Sequence, residues 1–98
     1  MEVRFEEASL QRLEADGSYA AGLEPALVKA FRKRLQFIRA APDERTFYAM
    51  KSLHYEKLKG DREGQHSMRL NDQWRLILRL EQDDTGKVVV VISILDYH

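Results

Sequence analysis

Hydrophobic and polar residues alternate near both ends of the chain, and between them hydrophobic positions recur at helical spacing. Val3 and Phe5 alternate with Glu2 and Arg4, the period-two pattern of a short strand with one buried face. Glu6 to Asp16 reads as a helix with Leu10 and Leu13 turned inward and Gly17 as its stop. Residues 17–22 form a loop. Pro25 suits the first turn of a second helix, where its missing N–H has no partner to lose. That helix carries Leu27, Phe31, Leu35 and Ile38 on one side, with Lys29, Arg32, Lys33 and Arg39 on the other. Pro42 closes it. Asp43 to Met50 predicts a third short helical turn, packed through Phe47 and Met50, and Ser52 to Gln65 reads as a loop.

Three strands follow. His66, Met68 and Leu70 alternate with Ser67, Arg69 and Asn71, and Asn71-Asp72 makes a tight turn. Trp74, Leu76, Leu78 and Leu80 alternate with Arg75, Ile77, Arg79 and Glu81, and Asp83 to Gly86 makes a second turn. Val88 to Leu95 is apolar at nearly every position, as in a central strand covered on both faces. The order β-α-α-β-β-β predicts an α+β fold, two to three helices on one face of a small, mostly antiparallel sheet. With 98 residues the chain is read as one domain, 1–98.

The pattern also sorts the chemistry. If helices cover the Trp74-Leu76-Leu78-Leu80 ridge, the opposite face presents Arg75 and Arg79 with Ile77 between them. The last strand delivers Asp96-Tyr97-His98 beside them, so cationic, phenolic and imidazole groups are expected to converge on one concave face.

Composition changes this picture little. Lys plus Arg and Asp plus Glu number 16 each, so there is no overall basic excess of the kind nucleic-acid proteins usually carry. A cleft responds to nearby charge, however. Lys51 to Arg79 holds seven basic residues against four acidic ones, and Glu6, Glu7 and Glu14 are expected to face elsewhere. There is no cysteine, which excludes disulfides and thiolate chemistry. The start shows no secretory pattern, and the longest apolar run, Val88 to Ile92, is too short to span a bilayer, so a cytoplasmic protein without membrane attachment is expected. His54, His66 and His98 lack zinc-site spacing, and there is no P-loop, dinucleotide fingerprint or G-x-S-x-G.

The segment from Leu58 through Lys59-Gly60-Asp61-Arg62-Glu63-Gly64-Gln65 to Trp74-Arg75-Leu76 resembles the central signature of HigB toxins, a branch of the RelE/ParE superfamily. The ending Asp96-Tyr97-His98 resembles their terminal Asp-Tyr-His. The resemblance implies the RelE-like fold and a type II toxin that cuts mRNA in the ribosomal A site without metal or cofactor. It also implies a helix-turn-helix, HigA-like antitoxin as partner. By the same resemblance the catalytic positions are Lys59, Arg75, Tyr97 and His98. The family's further His, upstream of the Lys, is matched by Glu56 in the slot itself or by His54 two places earlier.

Metal-free RNA cleavage needs a base for the 2′-hydroxyl proton, a cation for the phosphorane and an acid for the leaving 5′-oxygen. Arg75 suits the phosphorane, because a guanidinium grips phosphate oxygens in pairs. Lys57, Arg62, Arg69 and Arg79 are the expected RNA contacts, each with an ordinary surface cation as the plain alternative. The Lys29-Arg32-Lys33-Arg39 stripe is either a solvated helix face or a contact for ribosomal RNA backbone. His66 and Trp74 are expected to be structural. Two other readings stay open: a ParE-like inhibitor of DNA gyrase, and a degenerate member that only binds antitoxin.

Overall fold

The computed structural model describes residues 1–96. Strand β1 (Glu2–Phe5) is followed by helices α1 (Ala8–Ala15), α2 (Pro25–Ala40) and α3 (Arg45–Ala49). Strands β2 (Glu56–Lys57), β3 (His66–Arg69), β4 (Trp74–Asp83) and β5 (Gly86–Asp96) complete a five-stranded sheet. Its order is β1-β5-β4-β3-β2. The last four strands run antiparallel, and β1 lies parallel to β5. Three helices therefore pack against a mostly antiparallel sheet, the α+β architecture that the pattern predicts.

One core lies between helices and sheet. Leu27, Phe31, Leu35 and Ile38 of α2 meet Leu10 and Leu13 of α1, Phe47 of α3, and the ridge of Leu76, Leu78, Val89 and Val91. Arg32 ties the two long helices together by donating to the backbone oxygens of Leu13, Asp16 and Tyr19, at 3.0, 2.9 and 3.0 Å. It thus satisfies carbonyls at the C-terminal end of α1, where a cation is also favoured by the helix dipole. Arg32 is not part of a solvated RNA-facing stripe. Arg39 is held at 2.8 and 2.7 Å by the two carboxylate oxygens of Glu14.

Two local expectations are corrected. Met50 does not pack inward but is exposed, because α3 ends at Ala49 and the chain turns extended at residue 50. The stretch 52–65 is more than loop: it holds the two-residue strand β2, the 3-10 turn Gly60–Arg62 and the end of another, Lys51–Leu53. Both corrections involve elements of five residues or fewer, too short to show a period.

A register shift between Ile77 and Leu78 sets Ser93 opposite Ile77 and Val91 opposite Leu78, so Ile92 is an extra residue in β5. Such a bulge flips the alternation of the strand that carries it. Val89 and Val91 face the helices before it and Ile94 after it. The expected double burial of β5 holds for Val88 to Val91, whereas Ile92 to Leu95 are only half-buried.

Candidate functional site

The face of the sheet away from the helices has two halves. In one, Val88 and Val90 are buried although no helix covers them. Register supplies the reason. Val90 lies between Arg4 and Arg79, and Val88 between Glu2 and Glu81, so long charged side chains drape over both valines. These chains are linked by ion pairs: Arg4 to Glu2 at 2.8 Å and to Asp83 at 2.6 Å, Arg79 to Glu81 at 2.6 Å and to Glu6 at 3.2 Å. Arg79, an expected RNA contact, is therefore committed to carboxylates, and the Glu81 contact holds its guanidinium above its ordinary pKa. Glu6 and Glu14 do not face elsewhere. They neutralise Arg79 and Arg39 directly.

The other half carries the uncovered chemistry. Arg69 of β3 stands directly opposite Arg75 of β4, which in turn stands opposite Leu95 of β5. In the next row Glu56, Ser67, Ile77 and Ser93 lie side by side across four strands. Ser67 and Ile77 are buried, and the hydroxyls of Ser67 and Ser93 are buried without a hydrogen-bond partner. Glu56 and Arg75 are two strands and two residues apart, about 12 Å between Cα atoms from ordinary sheet spacings. A carboxylate and a guanidinium extending from those positions can reach opposite sides of one phosphodiester.

The remaining predicted residues divide. Arg75 and Arg79 share a face but stand four residues apart, about 13 Å. Lys57 pairs with His66 in the register and so turns to the other face of the sheet from Glu56. Lys59 lies past the end of β2, where it begins the Gly60–Arg62 turn. With Lys57, Glu63, Gln65 and His66 it lines a hollow of about 410 Å³. Arg62 donates to the side-chain oxygen of Gln65 at 3.1 Å. His54 sits at a left-handed bend (φ 48°, ψ 46°) that caps the Lys51–Leu53 turn, outside the sheet. Tyr97 and His98 lie outside the described residues. Immediately before them, β5 sets Asp96 opposite Trp74, one residue from Arg75.

His66 is buried. Its ring stacks on Tyr55 with centroids 5.0 Å apart and planes 4° from parallel. Glu44 accepts a hydrogen bond from the Tyr55 hydroxyl at 2.8 Å and lies 3.5 Å from His66 Nε2. Burial, more than the neighbouring carboxylate, pushes the Tyr55 hydroxyl pKa far up. The expectation that Trp74 belongs to the core is met in part, since it packs against the core while only half-buried.

Arg34 is the residue that pattern reading passes over. It lies three residues after Phe31 and four before Ile38, at the edge of the inward stripe of α2. Its Nε is buried with no hydrogen-bond partner. A cation at that helical phase was the available signal.

The molecule's likenesses agree with this geometry. Residues 3–98 match the family model of the RelE-like toxin of the type II toxin-antitoxin system HigB. Among solved structures, a YoeB/ParE toxin from Agrobacterium tumefaciens superposes with a TM-score of 0.64 at 20% identity, covering 100% of both chains. A YoeB-YefM toxin-antitoxin complex from Staphylococcus aureus gives 0.59 at 22% identity, over 100% of this chain and 97% of that one. YafQ from E. coli strain BL21(DE3) gives 0.57 at 8% identity, over 97% and 91%. At such identities these likenesses show the fold alone. No curated protein matches the sequence. The family match spans nearly the whole chain, and on that ground the chain belongs to the HigB-like branch of the RelE-like type II toxins.

Proposed function

We propose that this toxin is a ribosome-dependent, metal-free endoribonuclease that cleaves mRNA and arrests translation. The observation that carries the reading is the pair of adjacent rows on the open half-face, Arg69-Arg75 and Glu56-Ser67-Ile77-Ser93. They offer paired guanidinium groups and a carboxylate within one phosphodiester's reach.

In this reading Glu56 takes the 2′-hydroxyl proton. The 2′-oxygen attacks phosphorus, and the bond to the 5′-oxygen breaks. Arg75, with Arg69 beside it, binds the doubly charged phosphorane. Tyr97 or His98 protonates the departing 5′-oxygen, leaving a 2′,3′-cyclic phosphate and a 5′-hydroxyl. Glu56 is preferred to His54 as the base because it stands in the sheet row next to Arg75. His54 sits at a bend before β2. DNA lacks the nucleophile and would be spared. Lys59, at the hairpin turn, serves the flanking RNA backbone rather than the scissile phosphate.

The rest of the reading follows from the family. The 98 residues act as one toxin domain in the cytoplasm, held inactive by a HigA-like antitoxin. A YoeB-YefM toxin-antitoxin complex among the similar folds supports an antitoxin partner; its HigA-like type follows from the family alone. Among the described residues no helix is long and apolar enough to cross a membrane.

The test is induction of the toxin alone, followed by mapping of mRNA 5′ ends. New 5′-hydroxyl ends inside codons of translated messages are expected, absent when initiation is blocked. Intact messages accompanied by gyrase-trapped DNA breaks would overturn the reading in favour of a gyrase inhibitor.

A further inference from the structure

Among the described residues two large hydrophobic side chains are exposed, Tyr48 at 49% and Met50 at 42%. They lie two residues apart, at the end of α3 and just after it. An exposed apolar side chain by itself is ordinary. Tyr48 differs because its ring is held from behind. It meets the Tyr55 ring edge to face, with centroids 4.8 Å apart and planes at 77°. Tyr55 is fixed in turn. Phe47 packs on it at 5.3 Å, His66 stacks on it at 5.0 Å, and Glu44 accepts a hydrogen bond from its hydroxyl at 2.8 Å. Tyr48 is therefore an exposed aromatic surface oriented before anything binds, with little side-chain freedom left to lose.

The same ladder of rings leads to cations. Two ring steps, Tyr48 to Tyr55 and Tyr55 to His66, end at the hairpin hollow of about 410 Å³ that His66 lines with Lys57 and Lys59. Lys57 stands directly opposite His66 in the register, on the same face of the sheet. Lys51 opens the turn that follows Met50. Glu63 is the acidic residue that shares the hollow, and Glu44 is already engaged with Tyr55. A fixed aromatic surface beside lysines is what a single nucleic-acid strand takes, because bases stack on the ring while phosphates lie against the cations. An apolar peptide would use the ring and leave the lysines without a purpose.

We propose that Tyr48 is a stacking platform for a base of the RNA strand outside the cleaved codon, with a neighbouring phosphate held at the hollow by Lys57 and Lys59. This deepens the nuclease reading and rests on it for the source of the strand. The strand leaves the open half-face at Glu56 and rounds β2, a sheet edge only two residues long, to meet Lys57 on the other side. Every base has a face to stack, so the platform holds the strand without choosing its sequence.

The experiment compares the full-length protein with three variants. Y48L keeps apolar bulk against Tyr55 but has no ring, Y48F keeps the ring without the hydroxyl, and K57Q removes one charge. Binding of a 2′-O-methyl RNA oligonucleotide, which cannot be cleaved, is followed by fluorescence anisotropy across a salt series. Y48L is expected to bind about tenfold more weakly at every salt concentration, and Y48F to match the wild type. K57Q should lower the slope of log K against log salt by about 0.7, one single-strand phosphate contact.

If Y48L binds RNA as the wild type does, the platform is overturned, and a simultaneous loss of antitoxin binding would make this face a protein interface instead. If Y48F is as weak as Y48L, the hydroxyl makes the contact and stacking is overturned. A wild type that binds no oligonucleotide also overturns the platform. The nuclease reading is judged separately, by whether the induced toxin leaves new 5′-hydroxyl ends inside codons.

Discussion

At the scale of single residues, Arg75 and Glu56 differ from most charged neighbours in where the register puts them. Arg4, Arg39 and Arg79 spend their charge on carboxylates, which explains how a chain with balanced charge can still present a local cationic site. Replacing Glu56 by Gln should slow cleavage about 10²–10⁴-fold, as loss of a general base does. Arg75→Gln should cost about 10²–10³-fold through the phosphorane. His54→Gln should stay close to wild type in a reconstituted translation assay. A His54 effect larger than the Glu56 effect would reverse the assignment of the base. His66 makes a different prediction. Burial holds its imidazole below its ordinary pKa, with Lys57 pushing the same way and Glu44 opposing. The unfolded chain therefore binds the proton more readily than the folded one. Stability is full above the ordinary His value of about 6.5, falls as pH drops through it, and levels off once the folded imidazole is also protonated. Thermal melts across that window should show the decline. His66→Phe, which keeps a ring on Tyr55, should remove it.

At the scale of elements, the site depends on one short hairpin. Strand β2 has only two residues, and beyond it the Leu58 N–H donates to the Gln65 carbonyl at 3.0 Å, a bond that holds the hairpin and with it Glu56. Gly64 turns the chain there at φ 89°. No atom lies within 4 Å of where a Cβ would sit, so the cost of a side chain is conformational rather than steric. Gly64→Ala should destabilise by about 1–2 kcal/mol, the cost of a left-handed L-residue. It should speed hydrogen exchange at the Leu58 amide more than at amides of β4 and β5. Equal acceleration everywhere would mean that the hairpin has no independent stability. The bulge at Ile92 works on the longer strands. It lets β5 keep apolar residues toward the helices along its length while bending the sheet beside the Ser67-Ile77-Ser93 row.

At the scale of the whole molecule, one core supports a site with little packing of its own. Phe31 is fully buried at the centre of α2, against both the other helices and the sheet. Phe31→Ala should cost about 3–5 kcal/mol. For a domain this small that is a large share of a total stability of about 5–15 kcal/mol. Urea denaturation should show the midpoint falling, with growth arrest lost through low abundance. Cleavage per folded molecule should stay near wild type, and a specific loss there would place Phe31 closer to the chemistry than the core suggests.

Much of this was legible in the chain. Period-two and period-3.6 spacing over long segments already determined α2, β3 and β4 with their inward faces, because burial of one face is written locally, one residue after another; for β5 the apolar run gave the strand but not its faces, which the bulge at Ile92 sets. The signature around Lys59-Gly60-Asp61-Arg62 and Trp74-Arg75 likewise pointed to the family. The tertiary structure alone decided which cations are committed to distant carboxylates, since ion pairs such as Arg79 with Glu6 join residues far apart in sequence and leave no periodic trace. It decided that Lys57 and Glu56 part to opposite faces, because β2 is too short to announce its register.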